Sequence, residues 1–263
     1  MTYLNDVLLG MIEGITEFLP ISSTGHLLLA EHWLGARSET YNIFIQAGAI
    51  IAVTLIYWSR IKGLFGNWQK PENRDYLIKL TIAFLITAVL GLLVKKMGFQ
   101  LPTAIQPIAW ALVIGGIWML VAESYAAKLE DRVEITLRVA IAVGLAQVVA
   151  GIFPGTSRSA ATIFVAMLLG TSNRAAATEF AFLVGIPTMY AASGYELLKQ
   201  FSHGGGENDW LSLGIAFVVS TVTAFVVVKW LLSYIRTHDF RIFAFYRIAF
   251  GGLLLALAYG GVI

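Results

Sequence analysis

Glu13 and Glu17 stand four residues apart within an apolar run. That spacing places both carboxylates on one helix face. Two like charges on a buried face repel; they are stable when they share a proton, bind a cation or face an arginine. One or two carboxylates, completed by substrate phosphates, are a frequent way to hold Mg2+. Shortly after come Ser22, Ser23 and Thr24, then His26. Any of these hydroxyls can cap a helix N-terminus. Ser23 and His26, three apart, can also meet on one face, and a serine beside a histidine is a usual activated nucleophile. Far along the chain, Ser157 precedes Arg158, whose guanidinium suits phosphate oxygens bidentately. Carboxylates, a hydroxyl, an imidazole and a guanidinium together describe metal-assisted chemistry on a phosphate.

The setting sharpens this reading. Of the 263 residues, 58% are hydrophobic and only 13% charged, and mean hydropathy is +0.76. A soluble domain carries roughly 25% charged residues. A soluble globule and a disordered chain are both excluded, which leaves a polytopic membrane protein. Ionisable residues at membrane depth are costly and default to functional hypotheses, and Glu13, Glu17 and Arg158 are the foremost, with His26 a fourth. The net charge of +2 gives no reason to expect nucleic acid as a partner. There is no cysteine, so disulfides, thiolate nucleophiles and thiolate metal sites are excluded. The first apolar run holds two glutamates and lacks a basic leading segment, so it is not expected to be a cleaved leader.

Six long apolar stretches read as spanning helices, at about 41–59, 76–95, 104–122, 176–198, 210–234 and 242–262. They do not alternate as barrel strands would. Charged residues bound them, among them Arg60, Lys95, Lys96, Glu123, Lys199, Arg236 and Arg241. Residues 3–35 and 135–170 differ. The first is broken at Leu19-Pro20-Ile21-Ser22-Ser23-Thr24-Gly25, the second at Phe153-Pro154-Gly155-Thr156-Ser157. A proline followed by hydroxyl residues and glycine is a turn and an N-cap, and the piece after each break is too short to span. Each region is therefore expected to be a re-entrant hairpin of two half-helices, with the turn near the bilayer midplane.

The two broken regions also resemble each other. Shifting the first onto the second places Gly10 on Gly144, Glu13 on Gln147, Pro20 on Pro154 and Ser23 on Ser157. Three spans follow each hairpin, an odd number, so the second copy sits upside down. The expected architecture is an all-α integral membrane domain with residues 1–134 and 135–263 as an inverted-topology repeat. The site would lie at the repeat interface. Basic residues fit this layout: thirteen of the eighteen, Arg60 and Arg247 among them, fall on one side, and Arg37, Lys95, Lys96 and Lys199 on the other. The positive-inside rule then puts both termini outside. Arg158 belongs to neither set. Free amides and positive dipole ends of both half-helices would face the same central volume as its guanidinium.

Weaker candidates are Gln46, Gln147, Thr162 and Glu179, each either supporting the site or satisfied against a neighbouring helix. Arg174 and Glu179 are expected at a solvated membrane edge. Gly204-Gly205-Gly206 reads as a flexible loop without nucleotide-binding spacing.

The motifs Glu13-Gly14-Ile15-Thr16-Glu17-Phe18-Leu19-Pro20-Ile21-Ser22-Ser23-Thr24-Gly25-His26 and Pro154-Gly155-Thr156-Ser157-Arg158-Ser159-Ala160-Ala161-Thr162 resemble the two signatures of the bacterial undecaprenyl pyrophosphate phosphatase, or bacitracin-resistance, family. The likeness extends over the whole chain in length and span count, with no departure inside either motif. It implies an inner-membrane phosphatase that releases inorganic phosphate from undecaprenyl pyrophosphate, recycles the lipid carrier for cell-wall synthesis and confers bacitracin resistance. It also implies a divalent cation, a re-entrant inverted-repeat fold and a site opening toward the outer face. By motif, Glu13, Glu17, Ser23, His26, Ser157, Arg158 and Thr162 become functional positions.

On this reading Glu13 and Glu17 hold Mg2+ or Ca2+ with the pyrophosphate. Arg158, with Thr24, Ser157, Ser159 and Thr162 as further substrate contacts, neutralises phosphate charge. Ser23 is the preferred nucleophile with His26 as its base. Direct attack by His26, or attack by water with Glu17 or His26 as base, stays open. The polyprenyl tail would remain in the bilayer. The sequence leaves oligomeric state open, a homo-oligomer included. The rival reading is a lipid or anion transporter or flippase built on the same broken helices.

Overall fold

The computed structural model describes residues 3–98, 104–202 and 209–263. Within these the chain is entirely helical, with eleven helices. They are α1 (Tyr3–Thr16), α2 (Ser23–Leu34), α3 (Glu39–Ile56), α4 (Trp58–Gly66), α5 (Pro71–Lys96), α6 (Ile105–Ala126), α7 (Leu137–Ile152), α8 (Arg158–Leu169), α9 (Arg174–Ser202), α10 (Trp210–Tyr234) and α11 (Arg241–Tyr259). Six of them, α3, α5, α6, α9, α10 and α11, are long and apolar enough to cross a membrane. These are the six stretches expected from the sequence, and they make the chain a multi-pass membrane protein.

Local signals set the ends. Ser38, Thr136 and Asp209 cap α3, α7 and α10 by accepting from backbone amides one turn on. Pro71 opens α5, where its missing N–H costs nothing. Gly35 and Gly170, both at positive φ, close α2 and α8. The short α4, which the apolar pattern did not signal, continues almost directly from α3 through Tyr57.

The four short apolar helices come in two pairs. α1 has 14 residues and α2 has 12; α7 has 16 and α8 has 12. Packing around them follows a swap: α1 lies on α10 while α7 lies on α5, and α10 lies on α3 while α5 lies on α9. Close approach uses small residues, since lipid supplies no hydrophobic drive between helices. A Cβ on Gly14 would come 2.6 Å from the Ser220 carbonyl oxygen, and one on Gly144 would come 2.7 Å from that of Ala83. The turns of the two pairs also share a strained residue: Ser22 has φ 70° and Ser157 has φ 69°. The conformational match is thus Ser22 with Ser157, one position away from the alignment of Ser23 with Ser157.

Two expectations about charge change. Glu123 does not bound a span: α6 runs on to Ala126, and Glu123 is buried and paired with Arg174. Arg247 is not among the surface residues that set orientation. It sits in the middle of α11 with 0% exposure, because its guanidinium finds five backbone carbonyls inside the protein. Glu179 is partly exposed, as expected of a membrane edge, and pairs there with Arg60 at 2.9 Å. The Gly204-Gly205-Gly206 run lies outside the described residues.

Candidate active site

The turn from α1 into α2 and the turn from α7 into α8 face each other. Glu17 follows the end of α1, Ser23 opens α2 and Arg158 opens α8. These three side chains meet. Ser23 Oγ donates to Glu17 Oε2 at 2.5 Å. Arg158 Nη2 donates to the other carboxylate oxygen, Glu17 Oε1, in an ion pair that joins the two turns. The Glu17 side chain is 5% exposed and that of Arg158 is 27% exposed. The pair is therefore shielded on its acidic side and open on its basic side.

Glu13 is buried one helical turn earlier. Its Oε2 has no hydrogen-bond partner. A buried carboxylate oxygen left without a donor is expensive. Among the described residues no group of three or more His, Cys, Asp or Glu side chains could form an all-protein cage. Two carboxylates with one orphaned oxygen fit a hard cation that takes its other ligands from phosphate and water.

Ser23 and His26 do not bond each other. His26 Nδ1 lies 2.7 Å from the Ser22 carbonyl oxygen, and Nε2 lies 2.7 Å from the Tyr246 hydroxyl. A carbonyl only accepts, so Nδ1 carries the hydrogen and Nε2 accepts from Tyr246. The imidazole also stacks on the Phe250 ring at 4.1 Å. The positive φ at Ser22 re-aims the chain, so that Ser23 reaches back across the turn to Glu17 and not along the helix to His26.

The remaining predicted positions divide. Ser157 Oγ accepts from the Ala160 amide at 3.3 Å and caps α8. Ser159 Oγ crosses to the other turn, donating to the Leu19 carbonyl at 3.0 Å, and contacts Ser157 Oγ at 3.0 Å. Thr162 is buried and donates to the Arg158 carbonyl at 2.8 Å within its own helix. Thr24 is exposed. By contrast with α8, no side chain caps the N-terminus of α2, so its first amides remain for an anion. Gln147, which corresponds in sequence to Glu13, binds Thr87 at 3.1 Å and Thr188 at 3.4 Å, away from both carboxylates.

Beside Glu17 and Arg158 a narrow crevice runs between α8 and α9, walled by Phe18, Ser159, Thr162, Ala181, Phe182, Gly185 and Met189. Its walls are mostly apolar, with Ser159 and Thr162 as the polar exceptions. The sequence reading missed Arg247 and Tyr246, neighbours on α11 that bond the backbone or the imidazole of these turns. The available signal was the Gly115-Gly116 pair in α6, which opens space for a large side chain.

Comparison with known proteins shows what the chain is similar to. Residues 6–253 match the family model described as bacitracin resistance protein BacA. The chain is 67% identical, over the full length of both proteins, to an undecaprenyl-diphosphatase of Rhizobium etli (strain CIAT 652). It is 61% identical to an undecaprenyl-diphosphatase of Xanthomonas oryzae pv. oryzae (strain PXO99A), over 95% of this chain and 94% of that one.

Proposed function

The chain belongs to the bacitracin resistance protein BacA family, and from that premise we propose that it hydrolyses undecaprenyl diphosphate at the Glu17–Ser23–Arg158 cluster. The products are inorganic phosphate and the monophosphate lipid carrier used for cell-wall synthesis; removing the diphosphate form is what protects against bacitracin. The observation that carries this assignment to a site is the Glu17 carboxylate, which accepts from Ser23 on one oxygen and pairs with Arg158 on the other.

In the proposed reaction the terminal phosphate enters between the turns. Arg158 turns from Glu17 onto the phosphate oxygens, which it can grip with two N–H groups. The amides opening α2 point at the same charge. Glu17, which already accepts the hydroxyl's hydrogen bond, takes the Ser23 proton as Ser23 Oγ attacks the terminal phosphorus. The bond to the bridging oxygen breaks, and that oxygen leaves with the lipid monophosphate. The Ser23 proton passes from Glu17 to the departing lipid phosphate; water then attacks the phosphoserine, giving a proton to Glu17, which returns it to Ser23 Oγ as phosphate departs. Such a base contributes roughly 10^2–10^4-fold. Geometry favours Glu17 over His26 in this role, because Glu17 already holds the hydroxyl's hydrogen bond.

Glu13 and Glu17 would hold the divalent cation, Mg2+ or Ca2+. When bound it neutralises phosphate charge and lowers the barrier as a Lewis acid. The polyprenyl tail stays in the bilayer, and only the diphosphate enters between the turns.

The fold fits a pair of re-entrant hairpins, α1–α2 and α7–α8, in an inverted repeat. Support comes from the short lengths of these helices, the exchanged packing partners and the like backbone at Ser22 and Ser157. The charge distribution supports termini on the outer face of the inner membrane, and the family likeness implies a site opening toward that face.

The test is phosphate release from undecaprenyl diphosphate by purified protein in detergent, with and without a chelator. Detergent abolishes compartments, so a transporter or flippase alone would release nothing. Chelator-sensitive release is expected; its absence from folded protein would overturn the assignment.

A further inference from the structure

Arg247 on α11 is fully buried and forms no ion pair among the described residues. All five of its hydrogen bonds end on backbone carbonyls. Nη1 reaches Thr156 at 2.8 Å and Pro20 at 3.4 Å. Nη2 reaches Gly155 at 2.9 Å and Ala111 at 3.1 Å. Nε reaches Leu112 at 3.4 Å. One planar group therefore joins the turn before Ser23 to the turn before Arg158 and fixes both to α6.

Chemistry explains the choice of residue. Carbonyls in a turn have no helical partner, and in a water-poor interior each needs a donor. A guanidinium offers five N–H groups in a rigid fork, whereas an ammonium offers three from a point. The seat is cut to fit: a Cβ on Gly115 would collide with Arg247 Nη2. The preceding residue adds a second line to the same turn, since Tyr246 donates to His26, which donates to the Ser22 carbonyl.

Among the described residues the polar links between the turns are the Glu17–Arg158 ion pair, the Ser159 bond to Leu19 and the Arg247 fork. The first must open when Arg158 takes a phosphate. Arg247 bonds only backbone carbonyls, so that opening removes none of its partners.

We propose that Arg247 is a positioning residue that clamps the Pro20 turn to the Gly155–Thr156 turn and so keeps Ser23 opposite Arg158 while phosphate occupies the site. The proposal rests on the reading of Ser23 and Arg158 as the reacting pair. It assigns Arg247 an effect on turnover and not on substrate affinity, because the guanidinium touches carbonyls and no substrate atom. It also makes Gly115 part of the same device.

The experiment measures kcat and KM per folded molecule, with thermal stability alongside, for wild type, Arg247→Lys, Gly115→Ala and the double variant. Displacing reacting groups by about 1 Å costs on the order of 10^2-fold in rate, so Arg247→Lys is expected to lose roughly that in kcat with KM within about threefold. Gly115→Ala, which pushes on the guanidinium in place, should lower kcat in wild type and change it less than about threefold in the Arg247→Lys background. A kcat per folded molecule that is unchanged in Arg247→Lys overturns the clamp, as does a KM that rises while kcat holds. Should Arg247→Lys fail to fold, Gly115→Ala alone decides, and an unchanged kcat overturns it. An inactive wild type would count against the reaction itself; active wild type with unaffected variants counts against Arg247 alone.

Discussion

The α1–α2 turn brings two carboxylates, a serine hydroxyl and an imidazole toward the centre; the α7–α8 turn brings one guanidinium. Their backbones are alike, down to a serine at φ near 70° before the second helix. Their hydroxyls are used differently. Ser157 caps its helix, and Ser159 and Thr162 bond backbone carbonyls. Ser22 caps nothing with its side chain, and Ser23 gives its hydrogen to a carboxylate. The acidic position differs in charge: both helices bury an unpartnered side-chain oxygen here, but Gln147 is neutral and donates through its amide nitrogen to Thr87 and Thr188. On the proposed reading, one turn moves a proton and binds a cation. The other is arranged to present positive charge and hold its shape.

This contrast predicts a graded set of losses. Ser23→Ala should remove the nucleophile and abolish phosphate release to background, whereas Ser157→Ala should leave most activity; equal effects of the two in a phosphate assay would break the contrast. Arg158→Ala should cost roughly 10^2–10^3-fold in kcat, as for other groups that stabilise developing negative charge. A loss confined to KM would instead make Arg158 a binding group only. Glu13→Gln should raise the divalent-cation concentration needed for half-maximal activity by roughly 10–100-fold, read from a metal titration. Gln147→Glu, which makes the second hairpin resemble the first, should leave that titration unchanged. Ser157→Ala should lower stability by about 1 kcal/mol, the usual cost of a lost N-cap, measured by thermal unfolding in detergent.

How far these roles could be read beforehand follows from range. The six spans were legible because apolar composition over about 20 residues is a property of the segment itself. That Glu17 and Arg158 belong to one site was legible because so few charges sit at depth in a chain that is 13% charged. Partner choice at Ser23 was not. Helical spacing puts His26 on its face, but the left-handed residue at Ser22 lies just before the helix and turns the hydroxyl toward Glu17. Arg247 was hidden for another reason. Its carbonyl partners lie between 91 and 227 residues away, and a basic residue six positions after Arg241 looks like part of a charged flank. Only the glycine pair at Gly115-Gly116 hinted at its seat.

The account's central claim is that the two unlike turns act as one site through Glu17 and Arg158. A double-mutant cycle tests it most directly, using Glu17→Asp and Arg158→Lys, which keep both charges and shift their reach. With kcat/KM measured for phosphate release from undecaprenyl diphosphate, the account predicts that the double variant loses at least tenfold less than the product of the single losses, as for residues in direct contact. Losses that multiply to within about threefold would show the two turns acting independently and would contradict it.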